Sequence, residues 1–206
     1  MARTSTAKGK MVRRFGINIF GQPKFDKLLK KKPHGPGKSP REHRRVKLSD
    51  YGQQLMEKQK IRFCYGVSER QFRNIYSKAK GMGGITGNNM IELLERRFDN
   101  VLYRMGWTAT RTQARQLIGH KHFLLNGRPL NIPSALLRPG DTIQVKDRKA
   151  IKELIRGNIA NANISAAPWT SSNSDALEGL FLAVPSSADT QPPGKIQMVV
   201  EFYSRQ

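Results

Sequence analysis

Residues 110–145 read TRTQARQLIGHKHFLLNGRPLNIPSALLRPGDTIQV, and this segment decides the fold. Thr110 and Gln113 have the spacing of a capping box, which predicts that a short helix begins here. Asn126 and Gly127 then follow a short apolar run, and this dipeptide readily adopts the two positive φ angles of a tight hairpin. A Pro-Gly-Asp turn leads into an alternating strand. The segment therefore predicts a helix followed by a small antiparallel sheet.

Downstream of this segment, the pattern predicts one more helix and two more strands. A basic stretch with helical periodicity covers 149–159, and the runs at 177–184 and 195–203 are typical of strands. We expect loops in the Ser-rich and Pro-rich pieces between them. The whole pattern predicts an α+β fold.

Two helices are predicted upstream. Ser49 or Asp50 can cap a helix over about 53–64, and Ser68 can cap a second one over 69–80. Apolar residues of the second helix recur at helical spacing, so its aromatic rings are interpreted as core rather than as base-stacking platforms. The apolar residues are Phe72, Ile75, Tyr76 and Ala79.

A third, longer helix is expected from Thr86 or Asn88 to Met105, where Gly106 ends it. Three acids and two arginines of this helix have the spacing of ion pairs rather than of an acid–base couple. They are Glu92, Glu95, Arg96, Arg97 and Asp99.

Arg111 and Arg115 stand one turn apart near the start of the helix that Thr110 caps. Backbone N–H groups point outward at a helix N-terminus, and guanidinium groups bind phosphate oxygens in pairs. The two arginines therefore indicate a site that binds successive phosphates. A merely solvated helix face is the alternative.

The charge of the chain predicts a polyanionic partner. Its 206 residues carry 37 Lys and Arg against 15 Asp and Glu, a formal net charge of +22. Residues 1–60 carry 17 basic and four acidic side chains, 61–160 carry 18 and seven, and 161–206 carry two and four. The polyanion is thus expected on the first three-quarters, and a protein neighbour on the last part. The length excludes a large multidomain enzyme.

Residues 1–47 are interpreted as a basic arm, with Arg13 and Arg14 as contacts to the polyanion. Prolines and glycines at 33–37 exclude long helices there. Interleaved apolar residues favour an arm that orders on its partner over a solubilising tail. They are Phe15, Ile17, Phe20 and Phe25. A transit peptide is the weaker alternative, because 1–14 shows no amphipathic run.

Cys64 is the only cysteine, so no intramolecular disulfide and no multi-cysteine zinc cluster can form. A reducing compartment fits this composition. The neighbours Phe63 and Tyr65 favour a buried, inert thiol over a nucleophile. No run approaches the roughly 18 apolar residues of a spanning helix, and no secretory signal is evident. We expect a soluble protein that is not exported.

The histidines do not suggest a catalytic or metal site. His120 and His122 alternate at a strand start and are expected on opposite faces, with no carboxylate or thiol nearby to complete a zinc site. RNA contact or packing is the interpretation. The glycines at 81–84 lack the Gly-Lys-Ser/Thr that a phosphate-binding loop requires. The sequence therefore predicts no catalytic residues, no metal and no cofactor.

Blocks of sequence in one order along the chain resemble the bacterial-type small-ribosomal-subunit protein four family. The blocks are LSDYG at 48–52, EKQK at 57–60, YGV at 65–67, ERQFRN at 69–74, LLE at 93–95, DNV at 99–101, YRMG at 103–106, ATR at 109–111, ARQL at 114–117, HK at 120–121 and LNGR at 125–128. The resemblance implies a structural, non-enzymatic constituent of the small ribosomal subunit. It further implies a primary binder of 16S-type ribosomal RNA that nucleates assembly of the subunit body.

The resemblance also implies three parts. The basic arm at 1–47 would be ordered on RNA, and 48–94 with 161–206 would form a helical domain with C-terminal strands. An inserted helix-helix-hairpin RNA-binding module with a small antiparallel sheet would cover 95–160. Because this module also occurs in some pseudouridine synthases and tyrosyl-tRNA synthetases, an RNA-modifying enzyme is one alternative. Sequence-indifferent binding to polyanions is another.

Family members bind RNA through residues that match positions here, and these would recognise phosphates and the shape of an RNA junction. The expected RNA-binding residues are Arg13, Arg14, Lys58, Lys60, Arg70, Arg73, Arg104, Arg111, Arg115, His120, Lys121, Asn126 and Arg128. The family also lines the path by which messenger RNA enters the subunit, beside small-subunit proteins three and five. Arg44, Arg45 and Lys47 match that stretch. A contribution to translational accuracy through protein five is expected as well.

Two departures from the family concern the arm. Many relatives have Pro-Pro-Gly-Gln-His-Gly where this chain has a different loop at 33–38. Some relatives bind zinc through N-terminal cysteines that are absent here, so no metal is expected. The expected location is the ribosome in a bacterial cytoplasm, with a plastid as the alternative.

Overall fold

The computed structural model describes residues 7–37, 48–161, 167–186, 189–190 and 192–205. The elements in chain order are α1 (Lys8–Phe15), α2 (Pro23–Lys31), α3 (Asp50–Tyr65), α4 (Glu69–Gly81), α5 (Thr86–Glu95), α6 (Phe98–Arg104), α7 (Arg111–Gly119), β1 (Phe123–Leu125), β2 (Arg128–Pro129), β3 (Thr142–Val145), α8 (Lys149–Ala160), β4 (Thr170–Asn173), β5 (Glu178–Phe181) and α9 (Ile196–Ser204). The predicted α+β class is confirmed. The described residues divide into two compact units, one within Met1–Lys78 and Pro192–Gln206, the other within Ala79–Gln191.

The N-terminal region contains two short helices that the sequence analysis did not predict. Pro23 occupies the start of α2, where its missing N–H costs nothing. Four apolar residues of this region are buried: Met11, Val12, Ile19 and Phe25. Residues 7–37 thus bury apolar side chains within the chain itself, and ordering of the arm on RNA stays a prediction. Residues 38–47 lie outside the described residues.

The caps of α3 and α4 are those expected from the sequence. Ser49 Oγ accepts a hydrogen bond from the N–H of Gly52 at 3.2 Å. Ser68 and Gln71 form a reciprocal capping box, in which each side chain accepts from the other's N–H. The apolar stripe of α4 is core, as predicted, because Phe72 is fully buried.

The predicted strand at 195–203 is wrong, because this stretch belongs to helix α9 (Ile196–Ser204). The buried residues Val199, Phe202 and Tyr203 recur three and four positions apart. The ring of Tyr203 stacks on Tyr76 of α4 at 4.9 Å between centroids. A short run that is apolar on nearly every side has no clear period, so sequence alone cannot distinguish a buried helix from a strand.

Lys58, Glu69 and Tyr203 join α3, α4 and α9 through one carboxylate. The ammonium of Lys58 and the hydroxyl of Tyr203 both donate to Oε1 of Glu69, at 2.8 and 2.7 Å. Lys58 Nζ also lies 4.4 Å from the ring centroid of Phe202. Burial works to raise the pKa of Glu69, but the hydrogen bonds from Lys58 and Tyr203 outweigh it and hold that pKa below its ordinary value. The carboxylate form therefore stabilises this unit.

The second unit is built on an antiparallel sheet with strand order β2-β1-β3-β5-β4. Asn126 and Gly127 have φ angles of 49° and 75°, so the predicted hairpin is confirmed. β5 lies within the predicted strand at 177–184, whereas β4 was not predicted. Because β5 pairs with β3 and β4 pairs with β5, these strands belong to this sheet. The strands that follow residue 161 therefore lie within the second compact unit.

The predicted continuous helix up to Met105 is two helices, α5 and α6. Arg97 between them is extended and forms an isolated bridge with Leu136. The N–H of Phe98 donates to the carbonyl of Ala135 at 2.8 Å, and the N–H of Leu137 donates to the carbonyl of Arg96 at 2.9 Å. These hydrogen bonds replace the helical ones. Since they come from a loop some forty positions away, helical periodicity could not reveal the break.

The core of the second unit packs helices against one face of the sheet. Trp107, Phe98 and Phe123 are fully buried, and the rings of Trp107 and Phe123 stack at 6.1 Å. Gly179 on β5 lies directly over this core, where an added Cβ would be 2.9 Å from Sδ of Met105. Among the described residues, the helices are all too short or too polar to cross a membrane.

Replacing Glu69 should change how stability depends on pH. A carboxyl group whose folded-state pKa is below its unfolded pKa stabilises above the unfolded value, and this contribution is lost as pH falls through the folded pKa. We expect Glu69→Gln to lower stability at neutral pH and to flatten its loss below about pH 4. Urea unfolding at a series of pH values measures this. The exposed Glu153→Gln is the control and should keep the wild-type pH profile; a Glu69→Gln profile parallel to the wild type would contradict the role of this carboxylate.

Gly179→Ala should destabilise the second unit. The new methyl group would press on Met105 and on Cζ2 of Trp107, which is 3.2 Å from the added Cβ position. We expect a loss of about 1–3 kcal/mol in the free energy of unfolding. Gly157→Ala on α8 is the matched control, since its Cβ would meet nothing within 4 Å and should be neutral or stabilising by up to about 1 kcal/mol. Equal stability of the two variants would refute the close packing at Gly179.

Candidate nucleic-acid interface

Helix α7 presents two of the predicted RNA-binding arginines. Thr110 Oγ1 accepts from the N–H of Gln113 at 3.1 Å, so the predicted cap at Thr110 is confirmed. Gln113 Oε1 accepts from the N–H of Ala109 at 2.8 Å, so the second hydrogen bond of the capping box is displaced to the residue before the cap. The apolar side of the helix is buried through Ala114, Leu117 and Ile118. Arg111 and Arg115 are consequently left on the partly exposed side, one turn apart.

The carboxylate of Asp99 on α6 accepts hydrogen bonds from two guanidinium groups, those of Arg97 and Arg115. Its side chain is 1% exposed. Arg97 donates to both carboxylate oxygens at 3.0 Å, and Arg115 Nε donates to Oδ2 at 2.6 Å. The predicted ion pairs of this segment are therefore confirmed for Asp99.

Glu95 holds a second group of donors and is fully buried. Arg104 donates to both of its carboxylate oxygens, at 2.9 and 2.7 Å, and Asn100 Nδ2 donates to Oε2 at 2.7 Å. Asn100 Oδ1 in turn accepts from Nε of Arg111 at 2.8 Å. The guanidinium of Arg111 lies 4.3 Å from the ring centroid of Tyr103. Two predicted RNA-binding arginines, Arg104 and Arg111, are thus tied to the group around Glu95, and a third, Arg115, is tied to Asp99.

Exposed polar residues surround the tip and start of the hairpin. His120, Lys121 and Arg128 are exposed, as a role in binding requires. Asn126 is exposed too, but its amide is engaged within the chain: Nδ2 donates to Asp141, and Oδ1 accepts from the N–H of Thr142 at 2.9 Å. Asn126 therefore fixes the turn.

His122 is nearly buried, in contrast to His120. Burial lowers the pKa of His122 first, and the cations Arg148, His120 and Lys146 lower it further. Within the described part of the chain, its Nδ1 has no hydrogen-bond partner. Burial and the neighbouring cations thus both disfavour protonation of this imidazole.

Lys146 and Arg148 are candidate contacts that the sequence analysis missed. Both are exposed. The N–H of Lys146 donates to the carbonyl of His122 at 2.9 Å, because β1 and β3 are paired with Phe123 opposite Val145. Pairing of the predicted strand at 142–145 with the strand that begins at Phe123 was the signal that could have placed Lys146 beside His122.

In the first unit, Arg70 and Arg73 are exposed on α4, and Arg14 is exposed on α1. Lys60 is half-buried and forms an ion pair with Glu57. These side chains keep the surface cationic.

Two predicted contacts of this unit also have partners within the chain. Lys58 is 5% exposed and lies against Glu69 and the aromatic rings of α9, so its ammonium group is engaged inside this unit, and its contact with RNA stays a prediction. Arg13 donates to the carbonyls of His34 and Gly35, at 3.0 and 3.1 Å, and so supports the loop that departs from the family pattern. Arg44, Arg45 and Lys47 lie outside the described residues.

Metal or thiol chemistry finds no support in the described residues. There, no group of three or more His, Cys, Asp or Glu side chains is placed to hold a metal ion. Cys64 is buried, as expected. The candidate interface consists of basic side chains that are exposed or partly exposed.

Comparison with known proteins places both parts of the chain in one family. Residues 3–95 match the family model of the ribosomal protein S4/S9 N-terminal domain, and residues 96–143 match that of the S4 domain. The small ribosomal subunit protein uS4 of Treponema denticola is 51% identical over 198 residues, 96% of either chain. That of Borrelia duttonii is 49% identical over 207 residues, 100% of this chain and 99% of its own. With this identity along the whole chain and both domain models matched, the protein belongs to the uS4 family of small ribosomal subunit proteins.

Proposed function

We propose that this protein is a structural constituent of the small ribosomal subunit that binds 16S-type ribosomal RNA as a primary binder. The observation that carries the proposal is the group of arginines at α6 and α7, which reach the surface in the part of the chain that matches the S4 domain. The net charge of +22 supports a polyanionic partner of this kind. The bacterial relatives in Treponema and Borrelia favour a ribosome in a bacterial cytoplasm.

The mechanism of binding is electrostatic and geometric. Arg forks bind phosphate oxygens bidentately, and exposed cations such as Lys121 and Arg128 add attraction that is not specific for sequence. Structured RNA is recognised mainly through its shape and its phosphate and 2′-hydroxyl groups. An arrangement of cations on folded elements can therefore select one RNA junction without reading each base.

A structural role fits the site better than an RNA-modifying activity. The acids nearest to the arginines, Glu95 and Asp99, are buried in ion pairs, so neither is placed as a general base for substrate. The family is one of ribosomal structural proteins. A protein that binds naked RNA through both of its units is suited to nucleate assembly of the subunit body.

The finer roles concern messenger RNA and protein neighbours. Arg44, Arg45 and Lys47 match the family stretch on the path by which messenger RNA enters the subunit, and three cations there would guide its phosphates. The last 46 residues carry two basic and four acidic side chains, which suits contact with small-subunit proteins five and three rather than with RNA. Through this contact with protein five, the protein would contribute to translational accuracy.

Binding to ribosomal RNA should be selective and steeply dependent on salt. We expect the full-length protein to bind the five-prime domain of small-subunit RNA with an excess of unrelated RNA present. If about eight phosphates are neutralised, affinity should fall roughly a thousandfold or more between about 50 and 200 mM salt. Filter binding with chemical footprinting measures both. Equal competition by unrelated RNA would contradict the proposal.

Arg128→Ala and Arg156→Ala form a matched pair for this assay. Each removes one exposed cation from the second unit, but only Arg128 is an expected RNA contact. Arg128→Ala should weaken binding about three- to tenfold and reduce the salt slope by about one. Arg156→Ala should stay within about twofold of the wild type. Equal losses would mean that charge alone matters.

The messenger RNA contact can be tested in reconstituted small subunits. Replacing Arg44, Arg45 and Lys47 together by Ala should strongly reduce crosslinking of this protein to messenger RNA, because the attracting charges are gone. Replacing Lys30, Lys31 and Lys32 by Ala removes the same charge and should preserve the crosslink. Undiminished crosslinking in the first variant would refute this contact.

A further inference from the structure

We infer that Glu95 and Asp99 are positioning residues for RNA recognition: two buried carboxylates that set the orientation of Arg104, Arg111 and Arg115 before RNA arrives. The inference rests on the proposed RNA-binding function. According to this inference, two acidic residues promote RNA binding, although a negative charge by itself repels RNA.

The two partners of each ion pair differ in their exposure to solvent. The side chains of Glu95 and Asp99 are 0% and 1% exposed, whereas those of Arg104 and Arg115 are 26% and 20% exposed. Each pair therefore runs from the interior to the surface, with the carboxylate inside. A buried carboxylate needs compensating donors, and here the arginines supply them.

Asp99 is fixed from behind by an arginine that does not reach the surface. Arg97 is 6% exposed and donates to both oxygens of Asp99. The same carboxylate then holds Nε of Arg115. Because Arg97 locks the carboxylate plane, it limits the directions in which the guanidinium of Arg115 can point.

Glu95 orients two arginines, one directly and one through an amide. Arg104 is held by a two-point fork. Asn100 donates to Glu95 from Nδ2 and accepts from Arg111 at Oδ1, so the charge of Glu95 also determines which way the amide is turned. Tyr103 supports the guanidinium of Arg111 from its ring face. All three arginines thus have geometries set by the two acids.

Preorganisation of this kind favours binding. A long arginine side chain loses rotamer freedom when it binds a phosphate, and a side chain already held in place loses less. A planar guanidinium also binds phosphate well only when its N–H groups face the oxygens. Fixed arginines therefore bind a fixed RNA surface more tightly than mobile ones of equal charge.

An effect of net charge and an effect of positioning predict opposite changes in RNA affinity when Glu95 or Asp99 is neutralised. If only net charge mattered, Glu95→Gln and Asp99→Asn would each raise the positive potential and tighten RNA binding. If the acids position the arginines, both variants should bind more weakly although they are more positive. Because the two explanations predict opposite changes, the affinity of each variant relative to the wild type is enough to distinguish them.

The experiment compares these two variants of the full-length protein with Glu92→Gln. Glu92 lies on the same helix and pairs with Arg96, which is not an expected RNA contact and which also donates to the carbonyl of Leu137. We expect the affinity of Glu95→Gln and Asp99→Asn for the five-prime domain RNA to fall about three- to tenfold. Glu92→Gln should bind as tightly as the wild type or slightly more tightly. Tighter binding by folded Glu95→Gln and Asp99→Asn would overturn the inference.

Two further variants keep the test decisive if a buried acid proves essential for folding. Arg104→Lys and Arg115→Lys keep the charge but lose the planar fork, so RNA binding should weaken about threefold or more while the salt slope stays unchanged. Circular dichroism and urea unfolding would establish that each variant is folded. Wild-type affinity in both Lys variants would overturn the inference. Failure of the wild type itself to select ribosomal RNA would instead refute the proposed function.

Discussion

The burial of two carboxylates at the junction of α5 and α6 is the constraint on which the second unit depends. Glu95 and Asp99 are almost inaccessible to solvent, and arginine guanidinium groups donate hydrogen bonds to both carboxylates. Removing one partner of a buried pair leaves an uncompensated charge, which is strongly unfavourable. The positions of α5, α6 and α7 therefore follow from the need to bring these donors to the acids. The same requirement leads the arginines from the interior to the surface.

The interruption of the helix between α5 and α6 also supports the ion pairs of these carboxylates. Arg97 is extended and bridges to Leu136, so that its side chain turns inward to Asp99. In an uninterrupted helix, the backbone groups that now bond to the loop would bond to the helix itself. The loop also closes the apolar core over Phe98 and Leu137, both fully buried. One local departure from helical geometry thus supports both the core and the charged network.

The first unit uses a smaller charged cluster for a different purpose. Lys58, Glu69 and Tyr203 connect three helices, and the aromatic rings of α9 cover the lysine. A cation that looks available for RNA in the sequence is therefore part of the interior. Exposed cations such as Arg70 and Arg73 remain on the outer side of α4. The count of basic residues therefore includes at least one cation, Lys58, that is buried in the folded chain.

Local patterns in the sequence were enough to predict the family, the fold class, the caps at Ser68 and Thr110, and the hairpin at Asn126. These features depend on neighbours within a few positions, or on blocks that can be matched one by one. Other features emerge only in the folded chain: the break at Arg97, the helix α9, the strand β4 and the burial of Lys58. Each of these depends on hydrogen bonds, ring contacts or ion pairs between residues far apart in the chain. Such contacts override local periodicity, because burial and pairing are properties of the folded chain as a whole.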